Sequence, residues 1–167
     1  MTPRLQHRFL TPGELLVATT PSEITTILGP CIAVTLWCTH SHVGAICHAM
    51  LPSESVGFAS SAGNHPWKYV DTVIPEMLRR FLRKGGNPAD MDVKLFGGAD
   101  LLPNAEDPFA TRIGPQNVGL ARELLVERGL HILASDVGGQ KGRKLIFNTQ
   151  TGAVRIKRLP NFTPLHA

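Results

Sequence analysis

The distribution of apolar residues along the chain predicts two kinds of element. Short runs rich in β-branched residues, without helical spacing, are typical of strands. These runs lie at 14–19, 23–28, 32–37, 43–50, 92–96, 130–134, 144–147 and 153–157. Two other segments repeat apolar residues at the spacing of an amphipathic helix. They carry Val73, Ile74, Met77, Leu78, Phe81 and Leu82 in the first segment, and Val118, Ala121, Leu124 and Leu125 in the second.

Prolines and glycines set the expected ends of these helices. Asp71 is a candidate N-cap of the first helix, Pro75 is expected in or near its first turn, and Gly85–Gly86 ends it. Gly114–Pro115 places a proline at the first position of the second helix, and Gly129 ends that helix. The segment 100–112 before it is expected to be irregular.

The elements and the chain length together predict the fold class. The chain has 167 residues, of which 43% are hydrophobic, enough for one domain with its own core. We expect an α/β (α+β layered) domain of these strands, mostly in hairpin order, in largely antiparallel or mixed sheets with two main helices packed on them. The domain is expected to span 14–160, with tails at 1–13 and 161–167 and a long surface loop at 53–66.

Composition and charge exclude several functional classes. The net charge is +4, but the basic residues are scattered and aromatic residues make up only 6% of the chain, which disfavours nucleic-acid binding. No apolar run is long enough to cross a membrane, and residues 1–8 lack the apolar stretch of a signal peptide. Three cysteines in such a chain indicate reduced thiols. A cytoplasmic protein without membrane insertion is therefore expected.

A cysteine and a histidine beside two predicted strands suggest covalent catalysis. Cys31 follows a Gly29–Pro30 turn, and His48 lies in the next predicted strand. An imidazole can take the proton of a thiol and hold the thiolate as an ion pair. Thr25 is placed to accept a hydrogen bond from the other ring nitrogen, and backbone N–H groups around Gly29 and Cys31 are oxyanion-stabilising candidates.

The predicted hairpin brings this pair near, but not directly opposite, each other. If the hairpin is centred on residues 39–42, His48 pairs with Ala33. Cys31 then lies about two residues of strand away, or roughly 7 Å. A bulge or a shifted register would close that gap.

A metal site is the competing interpretation of the same region. Cys38, His40, His42, Cys47 and His48 lie close together in the sequence, as zinc ligands often do. However, Cys47 and His48 are adjacent in a predicted strand and so point to opposite faces. No paired Cys-x-x-Cys spacing accompanies them. The sequence therefore disfavours a metal and predicts Cys47 as a core residue.

Two glycine pairs, Gly97–Gly98 and Gly138–Gly139, have three interpretations. They could cradle a phosphate, but no helix starts directly after either pair. They could simply be turns that require positive φ. Such turns could also bring backbone close to the Cys31 pocket, which makes Gly97 and Gly98 candidate contacts for a substrate amide.

An ordered series of short motifs spans roughly residues 14–158, nearly the whole chain. The motifs are Thr25; Leu28-Gly29-x-Cys31-Ile32-Ala33-Val34; Gly44-Ala45-x-x-His48-x-Met50-Leu51-Pro52; Lys68-Tyr69-Val70-Asp71; Lys94-Leu95-Phe96-Gly97-Gly98-Ala99; Ile113-Gly114-x-x-Asn117-Val118; and Asp136-x-Gly138-Gly139-x-x-Gly142-Arg143. This series resembles the CheD family, the chemoreceptor glutamine deamidases of bacterial chemotaxis. Pro30, where the family usually has serine, and Ile27, where glycine is common, depart from the family pattern.

The resemblance implies a CheD-like fold and an activity that needs no cofactor. The implied reaction is hydrolysis of glutamine side-chain amides of methyl-accepting chemotaxis receptors, with Cys31 as nucleophile, His48 as base and Thr25 orienting His48. The implied partners are those receptors and, in organisms that have it, the CheC phosphatase. Two alternatives stay open: a non-catalytic adaptor of the same fold that binds receptor or CheC helices, and a cysteine hydrolase of another amide or ester.

Overall fold

Two mixed β-sheets and two α-helices make up the part of the chain that the structure describes. The structure is a computed structural model, and it describes residues 2–54, 65–101, 106 and 108–160. The α-helices are α1 (Val70–Arg83) and α2 (Pro108–Glu127). The strands are β1 (Gln6–Phe9), β2 (Leu15–Ala18), β3 (Ser22–Leu28), β4 (Ile32–Cys38), β5 (Gly44–Ala49), β6 (Met91–Gly97), β7 (Ile132–Val137), β8 (Arg143–Asn148) and β9 (Val154–Arg158).

The strands form a four-stranded sheet in the order β1-β3-β8-β9 and a five-stranded sheet in the order β2-β5-β4-β6-β7. The β1–β3 and β6–β7 pairs are parallel, and the other pairs are antiparallel. α2 connects β6 to its parallel neighbour β7, as a crossover helix must. The predicted mixed-sheet fold class is confirmed.

The five-stranded sheet lies in the middle of three layers. Ala45, Cys47 and Ala49 of β5 belong to the apolar cluster under the helices, whereas Ile46 belongs to the cluster between the two sheets. Every residue of β5 is buried, because both faces of this strand are covered. This confirms Cys47 as a core residue and directs its neighbour His48 toward the space between the sheets.

The start of α1 differs from the prediction, whereas its end does not. Tyr69 is the N-cap and makes no side-chain cap hydrogen bond. Asp71 lies inside the first turn, and Pro75 lies within the helix. The helix ends before Gly85, whose φ of +103° is unfavourable for other residues, as the sequence predicts.

The start predicted for α2 is wrong by about two turns, and Pro115 lies inside the helix. The Gly114–Pro115 pair does not start the helix. Instead, Gly114 allows the helix to pack closely against a neighbouring backbone segment. A Cβ at residue 114 would lie 2.4 Å from the Ala99 carbonyl oxygen, so only glycine allows α2 to approach the end of β6. The predicted inner face is confirmed, because Val118, Ala121 and Leu125 are buried.

The predicted N-terminal tail contains strand β1, which pairs in parallel with β3. All four of its residues are exposed, so its side chains carry no apolar alternation that would reveal a strand. Most of the predicted loop at 53–66 and the predicted tail at 161–167 lie outside the described residues. No helix of the described residues is long and apolar enough to span a membrane.

Candidate active site

The hairpin of β4 and β5 places the predicted base close to the predicted nucleophile. Ala33 pairs with His48 in regular antiparallel register, as the sequence predicts, and no bulge shifts it. Cys31 lies just before β4 and packs with Ala33 against the apolar cluster between the sheets. Cys31 and His48 are therefore diagonal neighbours on one face, with a spacing of about 7–8 Å across the sheet, which aromatic and long side chains can span.

The turn that carries Cys31 is held by the glycine-rich end of β6. The amide of Gly98 donates to the Cys31 carbonyl at 2.8 Å, and the amide of Ala99 donates to the Gly29 carbonyl at 3.0 Å. Gly97 has a φ of +102°, and a Cβ there would lie 2.2 Å from the Cys31 carbonyl oxygen. The backbone at Gly97 must be glycine for the turn to approach this closely.

These contacts revise the oxyanion candidates. The Gly98 N–H donates to the Cys31 carbonyl and is therefore not free to contact a substrate, whereas contact through other backbone atoms of Gly98 stays a prediction. The carbonyls of Gly29 and Gly97 accept hydrogen bonds from the amides of Ala99 and Gly138. Oxyanion stabilisation by Gly29 and substrate contact by Gly97 stay predictions.

The Gly138–Gly139 segment, in the loop after β7, forms hydrogen bonds with the end of β6 that contacts the Cys31 turn. The Gly138 amide donates to the Gly97 carbonyl at 2.9 Å, and the Asp100 amide donates to the Gly139 carbonyl at 2.8 Å. Both glycines have positive φ, which confirms a turn. The buried Arg143 side chain ties the segment to β8 through the Asp136 carboxylate and the carbonyls of Asp136 and Gly138.

Asn117 on α2 joins the two halves of the site. Its Nδ2 donates to the carbonyl of Pro30 at 3.0 Å and to the carbonyl of Met50 at 3.1 Å. The side chain is fully buried. Because Pro30 precedes the nucleophile and Met50 follows the strand of His48, one amide group fixes the distance between these two segments. The sequence motif contains Asn117, but the sequence predicts only a helix-start or loop contact for it.

Thr26, not Thr25, contacts the histidine. Thr26 Oγ1 lies 2.7 Å from His48 Nδ1 and also donates to the Leu10 carbonyl at 2.7 Å. The prediction that Thr25 orients His48 is therefore wrong. Successive side chains of a strand point to opposite faces, and in β3 the buried face carries Thr26, while Thr25 faces outward with Ile27.

The hydroxyl of Thr26 also determines which ring nitrogen carries the proton. A hydroxyl has one proton to donate, and the Leu10 carbonyl can only accept. Thr26 therefore gives its proton to Leu10 and accepts the Nδ1–H of His48. In the neutral imidazole this leaves Nε2 unprotonated, and Nε2 is buried with no hydrogen-bond partner among the described residues. The free lone pair is the one that a general base requires.

The segment before β2 supplies the remaining contacts of His48. The His48 amide donates to the Glu14 carbonyl at 2.9 Å, and the Gly13 amide donates to the His48 carbonyl at 2.9 Å. The negative charge of Glu14 raises the pKa of His48, although burial has the larger, opposite effect. Glu14 thus favours the imidazolium once it forms. No sequence signal marked Leu10, Glu14 or Thr26 as site residues, since only their positions in the fold bring them there.

Burial keeps the resting pair uncharged. It raises the pKa of the Cys31 thiol to about 11, although the residue's own backbone N–H lowers it in part. It lowers the pKa of His48 to about 4. The structure therefore favours a neutral thiol and a neutral imidazole near pH 7, in contrast to the ion pair that the sequence suggested.

The residues of the alternative metal site do not converge. Cys38 is paired with the backbone of Asn87, and His40 with the Asp90 carboxylate. Cys47 and His48 lie on opposite faces of β5. Over the described residues, no three His, Cys, Asp or Glu side chains are grouped so that they would hold a metal ion.

Comparison with known proteins assigns the chain to one family. The family model described as CheD chemotactic sensory transduction matches residues 50–158. The chain belongs to the CheD family. A CheD protein from Geobacter sulfurreducens, named probable chemoreceptor glutamine deamidase CheD 2, is 44% identical over 94% of this chain and 92% of its own length. Probable chemoreceptor glutamine deamidases from Oleidesulfovibrio alaskensis and Maridesulfovibrio salexigens are each 38% identical, covering 94% and 93% of this chain and 74% and 93% of their own lengths.

The neutral resting pair predicts how Cys31 of this CheD protein reacts with iodoacetamide. Only the thiolate reacts, so the alkylation rate should rise about tenfold for each pH unit between pH 7 and 9. Peptide mass spectrometry after timed alkylation gives the rate. Cys47, whose thiol pKa burial raises to about 12, is the internal control and should react more slowly throughout. A Cys31 rate that is already maximal at pH 6 would instead demonstrate a preformed ion pair.

The low pKa of His48 predicts a loss of stability in acid. The pKa is about 4 in the folded protein and 6.5 for an unperturbed histidine. Between these values the unfolded chain binds a proton that the folded chain does not, so stability falls as pH drops from 6.5 to 4. The His48 contribution amounts to about 3 kcal/mol. Urea unfolding of the wild type and His48→Gln across this range measures it, and parallel curves for the two proteins would refute it.

Proposed function

We propose that this protein hydrolyses the side-chain amide of glutamine residues in chemoreceptors to glutamate and ammonia. Membership of the CheD family and the names of its relatives support the reaction class. One observation of the site carries the proposal further. His48 Nε2 is a buried base that has no hydrogen-bond partner among the described residues, on the face that also carries the Cys31 thiol, and Thr26 contacts the opposite ring nitrogen. An adaptor without catalysis would have no use for such a base.

The first half of the proposed reaction forms a thioester. His48 Nε2 accepts the proton of Cys31 Sγ as the sulfur attacks the amide carbon of the glutamine side chain. The tetrahedral intermediate collapses when the C–N bond breaks, and Nε2 returns the proton to the departing nitrogen, which leaves as ammonia. Hydrogen bonding of Nδ1–H to Thr26 and the charge of Glu14 stabilise the imidazolium between these two transfers.

The second half hydrolyses the thioester. Nε2 removes a proton from a water molecule, the resulting oxygen attacks the carbonyl, and the C–S bond breaks. Sulfur leaves as thiolate and takes the proton back from His48, which restores the neutral pair. The product side chain is a glutamic acid that ionises in water. All steps use side chains and water, so no cofactor is required.

A neutral pair suits this sequence of steps. A thiolate that is stable in the resting enzyme is also a weaker nucleophile, because nucleophilicity falls with pKa. Here the charges form only as the bond to carbon forms, in the same buried space between the sheets. In the free protein Cys31 and His48 share no hydrogen bond, and catalytic contacts of this kind often tighten only when substrate binds.

The proposed setting is the cytoplasm, where glutathione and thioredoxin keep thiols reduced. All three cysteines are free, as this setting requires. Chemoreceptors are the proposed substrates. The CheC phosphatase stays a proposed second partner in organisms that possess it.

The decisive assay measures deamidation of a purified chemoreceptor fragment. Wild-type protein should release ammonia and convert a glutamine-containing peptide to its glutamate form, detected by mass spectrometry. Cys31→Ala should abolish both signals without loss of the folded state, because a thiol at a turn contributes little packing. Cys47→Ala is the matched control and should stay active. Ammonia release by Cys31→Ala at the wild-type rate would rule out the mechanism, and an inactive wild type would favour the adaptor.

The contact of Thr26 with His48 predicts unequal effects at the two neighbouring threonines. Thr26→Ala should lower kcat on the order of tenfold to a hundredfold, a part of the 10²–10⁴ that acid–base catalysis typically contributes. Thr26→Ser should restore most of the rate, because it keeps the hydroxyl. Thr25→Ala should leave kcat within about twofold, since that side chain faces away from the ring. Equal defects in the two alanine variants would contradict the assignment of Thr26 as the positioning residue.

A further inference from the structure

The four-stranded sheet has an outer face that no helix of the described residues covers. α1 packs on β2, β4 and β5, and α2 packs on β4 and β6, all in the five-stranded sheet. The inner face of the four-stranded sheet contributes Ile24, Leu28, Leu145 and Phe147 to the apolar cluster between the sheets. The outer face of β3, β8 and β9 is therefore a sheet surface that no described helix or sheet covers.

Register shows which side chains share this outer face. Ile27 pairs with Lys144, and Lys144 pairs with Lys157, so these three side chains form one row across the sheet. The next row consists of Thr25, Ile146 and Arg155. We name these six residues the outer patch. Ile27 is 48% exposed, although isoleucine is among the residue types most often buried in proteins.

The outer patch lies at the catalytic end of the sheet. Ile27 is followed by Leu28, the last residue of β3, and then by the turn that carries Cys31. β8 starts at Arg143 and β9 ends at Arg158, so Lys144 and Lys157 lie at the same end. A molecule that covers the row of Ile27, Lys144 and Lys157 therefore extends toward the nucleophile.

The cations of this row are not neutralised within the described chain. Lys144 and Lys157 occupy directly opposite positions of an antiparallel pair, where like charges destabilise a sheet. Neither forms an ion pair with a described residue. The nearby Arg155 has a partner, because it pairs with Glu23 at 3.1 Å, and the neighbouring Arg158 pairs with Asp136. An anionic partner would offset the repulsion that the fold leaves between these two lysines.

We propose that the outer patch docks an acidic, amphipathic helix of the substrate protein. Ile27 and Ile146 would contact its apolar side, while Lys144 and Lys157 would pair with its carboxylates. A helix suits this surface because its diameter of about 10–12 Å covers two to three strands spaced about 4.8 Å apart. The proposal rests on the proposed function, since it identifies the kind of segment that carries the glutamine.

The test measures binding separately from catalysis. The inactive Cys31→Ala protein is titrated with a fluorescently labelled helical chemoreceptor fragment, and anisotropy gives the Kd. Lys144→Glu with Lys157→Glu should raise the Kd about tenfold or more, because juxtaposed like charges oppose association strongly. The matched control is Arg83→Glu with Lys84→Glu, which makes the same charge change at the far end of α1 and should alter the Kd less than about twofold.

A second variant keeps the result interpretable if charge reversal disturbs the fold. Lys157→Ser alone should raise the melting temperature slightly, because it removes the like-charge pair, and should still weaken binding. An unchanged Kd, or an equal loss in the α1 control, would overturn the docking proposal.

The same measurements separate this proposal from the function. A wild-type dimer that dissociates in the lysine variant while its Kd for the fragment is unchanged would assign the patch to a second copy of the chain and reject the docking helix. Tight, lysine-dependent binding without any ammonia release by the wild type would support the patch and reject the deamidase. Ammonia release by the wild type, together with a Kd that does not change in the lysine variant, would support the deamidase and reject the patch.

Discussion

The buried hydroxyl of Thr26 connects the four-stranded sheet to His48, the proposed base, on the five-stranded sheet. Thr26 Oγ1 lies between the Leu10 carbonyl, which follows β1, and the imidazole of His48 on β5 of the other sheet. Because Leu10 can only accept, the direction of both hydrogen bonds is determined, and with it the tautomer of His48. The packing of one sheet on the other is therefore also the arrangement that frees Nε2 to act as a base. A shift of one sheet relative to the other would therefore disrupt both the packing of the sheets and the hydrogen bond that keeps Nε2 unprotonated.

The nucleophile depends on a different set of contacts, made mostly by backbone. Gly97 allows β6 to approach the Cys31 turn, Asn117 links that turn to the strand end after His48, and Arg143 holds the loop that supports Gly97. These contacts come from three separate parts of the chain, β6, α2 and β8. Sites held by rigid surroundings keep their geometry without help from substrate. The resemblance to the family includes the same glycines, asparagine and arginine, and the structure gives each a physical reason.

Burial determines the charge state of the site. The space between the sheets opposes a thiolate and an imidazolium alike, so the resting groups are neutral. In the proposed mechanism, charge develops only during bond formation, and Thr26 and the negative charge of Glu14 then favour the imidazolium. The surface near the site has the opposite character, because the like-charged Lys144 and Lys157 face solvent. In the proposed function, the uncharged interior suits the chemistry at Cys31 and His48. The surface around Lys144 and Lys157 suits the approach of an acidic partner.

Local sequence patterns determined much of this protein. The apolar runs predicted the positions of strands β2 to β9, and the helical spacing of apolar residues predicted the inner face of α2. The short Cys38–His42 connection predicted the observed pairing of Ala33 with His48. These features depend on residues close together in the chain.

Tertiary structure decided the rest. Two adjacent threonines look alike in a sequence, and only the packing of the sheets decides that Thr26 points inward to the ring. β1 has no apolar signal because its pairing uses backbone alone, and Gly114 lies inside α2 instead of at its start because a distant carbonyl requires glycine there.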